Sequence, residues 1–145
     1  MKIVVDTNIV FSAILNIDSQ IARILLYSGK QFEFFSCDFL KMEIAIHANK
    51  ILKITKYSEE EFHEIEYLVT KKIHFMNHLL IDSITIKSAE KMLKNIDLDD
   101  APFLALSKHI KAPIWTGDKK LYNGLLQNGY KQICNTQQLL SLLKL

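Results

Sequence analysis

Lys2-Ile3-Val4-Val5-Asp6-Thr7-Asn8 is the stretch from which the rest of the chain can be read. Ile3, Val4 and Val5 form a short continuous apolar run of β-branched residues. Such a run reads as a strand buried on both faces, as in a parallel sheet. A carboxylate follows at once, at the C-terminal end of that strand. In open α/β sheets this edge is where ligands bind. A charge placed there must be solvated or paired, so Asp6 is a site candidate. It could equally cap the next helix or stabilise a turn, and the stretch alone leaves these readings level.

Working outward, strands and helices alternate. Ile21, Ile24, Leu25 and Leu26 give a helical apolar face, with Asp18 or Ser19 to cap its start and Gly29 to close it. Phe32 to Phe35 reads as a second strand, followed by a helix from about Asp38 with Phe39, Met42 and Ile46 on one face. Ser58 with Glu61 is a capping-box signature for an amphipathic helix that turns Phe62, Ile65, Leu68 and Val69 inward. Ile73 to Met76 reads as a short third strand, and Ile84 to Asn95 as a helix. Another helix carries Phe103, Leu104, Leu106 and Ile110. Pro113 to Thr116 reads as a strand, Gly117-Asp118 as a turn, and Leu121 to Asn128 as a helix closed by Gly129. Tyr130 to Cys134 is the last strand, and Thr136 can cap a terminal helix. This alternation implies a parallel sheet with right-handed crossovers.

Composition bounds the answer. A chain of 145 residues fits one domain spanning 1–145, enough for a three-layer α/β core. Its 49% apolar content is at the upper end for a soluble protein, yet no apolar run approaches a membrane span. The strand at the very start leaves no sign of a targeting segment. Cys37 and Cys134 show no CxxC pattern and read as reduced thiols of a cytoplasmic protein. The net charge of +2 does not by itself announce nucleic acid, and Arg23 is the only Arg. Bidentate Arg recognition of bases or phosphates is therefore not a main device.

Four carboxylates carry the functional reading: Asp6, Glu43, Asp100 and Asp118. Pro102 lacks an amide hydrogen and is tolerated only in a helix's first turn, so its helix begins near Asp99–Pro102. Asp99 is then a cap candidate, Asp100 is free to project from the helix mouth, and Asp97 is a further possible member. If the first and fourth strands are neighbours, Asp6 and Asp118 meet at one crevice. Clustered carboxylates repel one another unless cations hold them. Hard oxygen donors suit Mg²⁺ or Mn²⁺, which activate water and clamp a phosphodiester during in-line displacement.

Val4-Val5-Asp6-Thr7-Asn8, Ser36 to Ile44, Asp99-Asp100-Ala101 and Trp115-Thr116-Gly117-Asp118 occur in this order at suitable spacing. Together they resemble the signatures of PIN domains, metal-dependent nucleases that include VapC-type toxins. The resemblance covers essentially the whole chain. It implies a three-layer α/β/α sandwich with a parallel sheet of strand order 3-2-1-4-5. It also implies one site of four acids, carried over onto Asp6, Glu43, Asp100 and Asp118 as catalytic residues and metal ligands, with Asn8 and Thr116 in support. Many members carry another acid at the position of Lys120, so the number of metal ions is open. Lys119 and Lys120 could meet the substrate backbone or form a solvated turn.

The resulting expectation is a Mg²⁺- or Mn²⁺-dependent endoribonuclease that hydrolyses single-stranded or looped RNA and leaves a 5′-phosphate. Its expected role is the toxin of a toxin–antitoxin pair, with an antitoxin protein as partner. A housekeeping RNA-processing nuclease and an inactive PIN-fold interaction module are the alternatives. The high apolar fraction, with Leu139, Leu140, Leu142, Leu143 and Leu145 crowding the C-terminus, points to a homodimer, the alternative being that these leucines complete the core of a monomer. His74 and His78 are spaced for zinc only on a helix, and their segment reads as strand and loop. Trp115 is expected in the core, and Tyr122 is the better base-stacking candidate.

Overall fold

Five parallel strands in the order β3-β2-β1-β4-β5 organise residues 1–143, the part described by the computed structural model. In chain order the elements are β1 (Lys2–Val5), α1 (Thr7–Leu15), α2 (Gln20–Tyr27), β2 (Glu33–Cys37), α3 (Phe39–Thr55), α4 (Glu59–Thr70) and β3 (Ile73–Met76). They continue with α5 (Ser83–Leu93), α6 (Ala101–Ile110), β4 (Ile114–Trp115), α7 (Lys119–Gln127), β5 (Ile133–Cys134) and α8 (Thr136–Leu142). Short 3₁₀ turns span His78–Leu80 and Leu98–Asp100. The strand order is the one that the resemblance implied.

β1 is the centre of the sheet. Its register sets Ile3 against Phe34 on β2 and Val5 against Trp115 on β4. Ile3, Val4 and Val5 are all fully buried. Successive side chains of a strand point to opposite faces, so both faces must be covered. α1, α2, α3, α4 and α8 are linked by mutual contacts, while α6 packs across β1, β2 and β4 with α5 against it. Right-handed crossovers put the two groups on opposite faces. Trp115, Phe34 and Phe103 are the largest side chains of the core. No single described helix is long and apolar enough to cross a membrane.

Several local details differ from the sequence expectation. A helix, α1, starts immediately after Asp6, where the sequence reading placed its first helical face only from Ile21. Ile9, Val10, Ala13 and Ile14 are its buried residues. On α3 the inward face is Leu40, Ile44 and Ile51, while Met42 and Ile46 are exposed. The apolar residues run all round that helix, so periodicity could not choose between two stripes. Asp99 does not cap α6. Asp97 caps the 3₁₀ turn by accepting from the Asp99 amide, and Asp100 occupies the N-cap position of α6 with no side-chain capping bond. Asn135, not Thr136, caps α8, in a capping box with Gln138. The Thr136 hydroxyl instead accepts from the Trp115 indole at 3.1 Å.

Of the C-terminal leucines, Leu139 and Leu143 are buried and Leu140 is half-buried, so these complete the core. Leu142 is exposed, and Leu145 lies outside the described residues. The exposed apolar surface sits elsewhere, on Met42, Ile46 and Ile54 of α3 and on Leu79, Leu80, Ile84 and Leu98. Cys37 and Cys134 are both free and buried. Burial pushes both thiols well above their ordinary pKa, which makes them unreactive.

Candidate active site

Because β1 lies between β2 and β4, the segments leaving these three strands open into one crevice at the sheet's C-terminal edge. Asp6 follows β1, Glu43 lies in the second turn of α3 after β2, and Asp118 follows β4. α6 leads into β4 at the opposite edge, so it runs antiparallel to the strands and its N-cap residue, Asp100, lies at the same crevice. The four acids singled out in the sequence are thus brought to one place. Asp6, Asp97, Asp118 and Glu43 all lie near enough to Asp100 to raise its pKa by repulsion.

Each acid is held differently. Asp6 is 2% exposed. Its Oδ1 accepts from the Ile9 amide at 3.0 Å and so caps α1. Its Oδ2 is buried and has no hydrogen-bond partner. Burial pushes its pKa up to about 6, with a further rise from the Asp118 charge. The neighbouring Thr116 hydroxyl and the Ile9 amide favour the ionised form without offsetting that rise. Asp6 therefore caps α1 through one oxygen and leaves the other without a partner.

Glu43 is half-buried, and the Thr7 hydroxyl donates to its Oε1 at 2.7 Å. Thr7 was not singled out in the sequence, although it follows Asp6 directly. Its place in the first turn of α1 aims its hydroxyl at the neighbouring α3. Asp118 caps α7, its Oδ1 accepting from the amides of Lys120 at 2.8 Å and Leu121 at 3.3 Å. The Asp118 amide in turn donates to the Thr116 hydroxyl at 3.0 Å. Thr116 therefore lies beside both Asp6 and Asp118.

Asp100 has no capping bond, and its pKa is raised to about 7. Partial burial is the main cause, followed by the charges of Asp6, Asp97, Asp118 and Glu43. Asp97 is exposed and belongs to the group by its charge, at the rim. Asn8 is exposed and contributes a backbone amide that favours ionised Asp6. Lys119 and Lys120 are exposed in the first turn of α7.

The chemistry of this donor set fits a hard divalent cation. It is all carboxylate, its members' charges help to raise the pKa of Asp100, and it contains an orphaned buried oxygen. Among the described residues, however, no three His, Cys, Asp or Glu side chains converge closely enough to hold an ion.

Two cavities flank α7. A cleft of about 400 Å³ is lined by Thr116, Asp118, Lys119, Tyr122 and Asn135. A larger trough of about 860 Å³ runs between α5 and α7 and reaches Lys120. Nothing in the residue pattern hinted at that trough. Tyr122 is half-buried and lines the smaller cleft, whereas Trp115 is wholly in the core. His78 lies 2.7 Å from Asp38 through its Nδ1, and His74 stacks against Phe35. The two form no metal pair.

The family model described as PIN domain matches residues 4–139. No curated protein sequence matches the chain. Among solved structures, the chain is similar to one in the crystal structure of VapBC2 from Rickettsia felis bound to a DNA fragment from their promoter. The TM-score is 0.70 at 13% identity, and the match covers 93% of this chain and 98% of that one. At that identity the likeness bears on the fold.

Proposed function

The chain belongs to the PIN-domain family, and from that premise we propose that it is a divalent-metal-dependent endoribonuclease acting on single-stranded or looped RNA. The observation that carries this reading is the convergence of Asp6, Glu43, Asp100 and Asp118 on one crevice, with the Oδ2 of Asp6 buried and unpartnered. Such an oxygen costs stability in a folded chain, and a site that binds a cation gives it a purpose.

In this reading Asp6, Glu43, Asp100 and Asp118 hold Mg²⁺ or Mn²⁺. A bound divalent ion would supply an acidified water and neutralise charge on the phosphodiester. The protein's own groups do the positioning. The Ile9 amide fixes the Asp6 carboxylate, the amides of Lys120 and Leu121 fix Asp118, and the Thr7 hydroxyl fixes Glu43. Asp100 stands ready to exchange a proton near neutral pH. Lys119 and Lys120, at the mouth of α7, attract the phosphate backbone.

The likeness to a VapBC complex favours a toxin role over housekeeping RNA processing, with an antitoxin protein as partner and the cytoplasm as the place of action. The exposed apolar residues of α3 and of the Leu79–Ile84 region supply surface for that partner and for a second copy of the chain. The test is cleavage of labelled single-stranded RNA by the purified protein. We expect cutting with Mg²⁺ or Mn²⁺, none with excess EDTA, and none by Asp100→Asn. Full cleavage in EDTA would overturn the mechanism.

A further inference from the structure

The trough between α5 and α7 is the largest cavity described, and none of the four acids lines it. Its floor is apolar, formed by Met92 and Ile96. Its walls are polar: Lys91 on α5, Asn95 just beyond it, and Lys120, Asn123 and Gln127 on α7. Close packing builds the floor. A Cβ on Gly124 would fall 2.5 Å from Ile96 Cδ1, so glycine lets α7 settle onto that side chain without moving it. The rim is pinned where the Asn128 side chain donates to the Met92 carbonyl at 2.9 Å. Among the described residues no carboxylate lies within ion-pair distance of Lys91 or Lys120. Asn123 also lines the smaller cleft that contains Asp118, so trough and cleft adjoin at α7.

These features suit an extended polyanion with flat bases. Unpaired lysines attract phosphates, side-chain amides can bond base edges, and an apolar floor accepts sugar and base faces. An apolar partner helix finds little purchase on walls of this kind. We propose that this trough is the strand-binding channel of the site: it grips single-stranded RNA beyond the scissile phosphate, with Lys91 and Lys120 on successive stretches of backbone. The proposal rests on the ribonuclease reading and adds where the strand lies.

Lys91 allows a clean test, because it stands on α5, away from the acids. Binding of a fluorescein-labelled single strand of about a dozen nucleotides is followed by anisotropy in Mg²⁺, using Asp100→Asn to prevent cutting. Lys91→Gln is compared with Lys30→Gln, an equal charge change at an exposed position just before β2, at the opposite edge of the sheet. One phosphate contact contributes about 0.7 to the salt slope for single strands. Lys91→Gln should therefore lower that slope by about 0.7 and weaken binding about eightfold at about 0.05 M salt. Lys30→Gln should change neither. Unchanged slope and affinity for Lys91→Gln, in a chain that cleaves RNA when Asp100 is intact, would overturn the channel and leave the nuclease reading standing. If the intact chain neither binds nor cleaves RNA, both fall. Duplex RNA bound as tightly as single strands, with the same dependence on Lys91, would overturn the single-strand assignment.

Discussion

Replacing Asp6 by Asn should stabilise the protein in the absence of divalent ions, and only above mildly acidic pH. In the folded chain the Asp6 pKa rises from 3.8 to about 6, chiefly through burial. The folded state therefore holds the proton more tightly than the unfolded state. Asp6 costs nothing below about pH 4, begins to cost as pH rises through that value, and costs its full amount above about pH 6. A shift of about two pKa units corresponds to about 3 kcal/mol. Asn caps a helix as well as Asp, so the bond from the Ile9 amide survives. The unpartnered Oδ2 is replaced by an amide group that is no worse satisfied. About 3 kcal/mol is a ceiling, since local relaxation lets some water reach the charge. At about 2–4 °C per kcal/mol for a chain of this size, the melting temperature at pH 8 should rise by up to about 10 °C. The assay is urea or thermal unfolding followed by circular dichroism in EDTA, at pH 4 and pH 8. Equal gains at both pH values, or a loss at pH 8, would refute the claim that a buried, unpaired charge sits at this position.

Other expectations follow from the same geometry. Asp97→Ala should cost about 1 kcal/mol, because Asp97 caps the 3₁₀ turn, while Asp99→Ala should stay within about 0.5 kcal/mol; thermal melts that reverse this order would contradict the capping assignment. Thr7→Val keeps the shape of the side chain but removes the 2.7 Å bond to Glu43. It should lower kcat with little change in KM, and Thr7→Ser should restore kcat; equal loss in both variants would assign Thr7 a packing role only. Light scattering should give twice the chain mass, through the exposed apolar residues of α3 or of the Leu79–Ile84 region; a monomer at high micromolar concentration removes the dimer.

The legible parts of the fold were those set by local chemistry. A continuous β-branched run marked β1, the Ser58–Glu61 pair marked the start of α4, and Pro102 marked the start of α6. α1 was missed because Ile9, Val10, Ala13 and Ile14 continue the apolar character of the strand before them, and only the carboxylate between them breaks the run. The inward face of α3 was misread for a related reason. Met42 and Ile46 are as apolar as Leu40 and Ile44, and only tertiary packing selects the buried stripe. Taken singly, most of the acids read as caps, turns or a solvated face, and they gained meaning only as a group, which depends on β1 lying beside β4. That adjacency came from the resemblance and not from the periodicity. Thr7 and the trough were illegible because each depends on one helix approaching another: α1 on α3 for Thr7, α5 and α7 for the trough.

The fold treats its acids unequally, and this bears on what a cation would do there. Asp6 and Asp118 each commit one oxygen to the amides at a helix N-terminus. Those amides and the helix dipole favour a negative charge, and they aim each carboxylate while leaving its second oxygen free. Asp100 also stands at a helix N-terminus, but it makes no capping bond. It is less buried than Asp6 and yet reaches the higher pKa, about 7 against about 6. Burial alone would give the opposite order. The difference lies in the absent capping bond and in the four carboxylates that face Asp100. A divalent ion entering the crevice opposes those charges directly, so its largest effect falls on the acid that the helix caps help least. Asp100 should thus lose its proton when the ion binds, and metal affinity, read by calorimetric titration with Mn²⁺, should climb as pH rises to about 7 and level off above it.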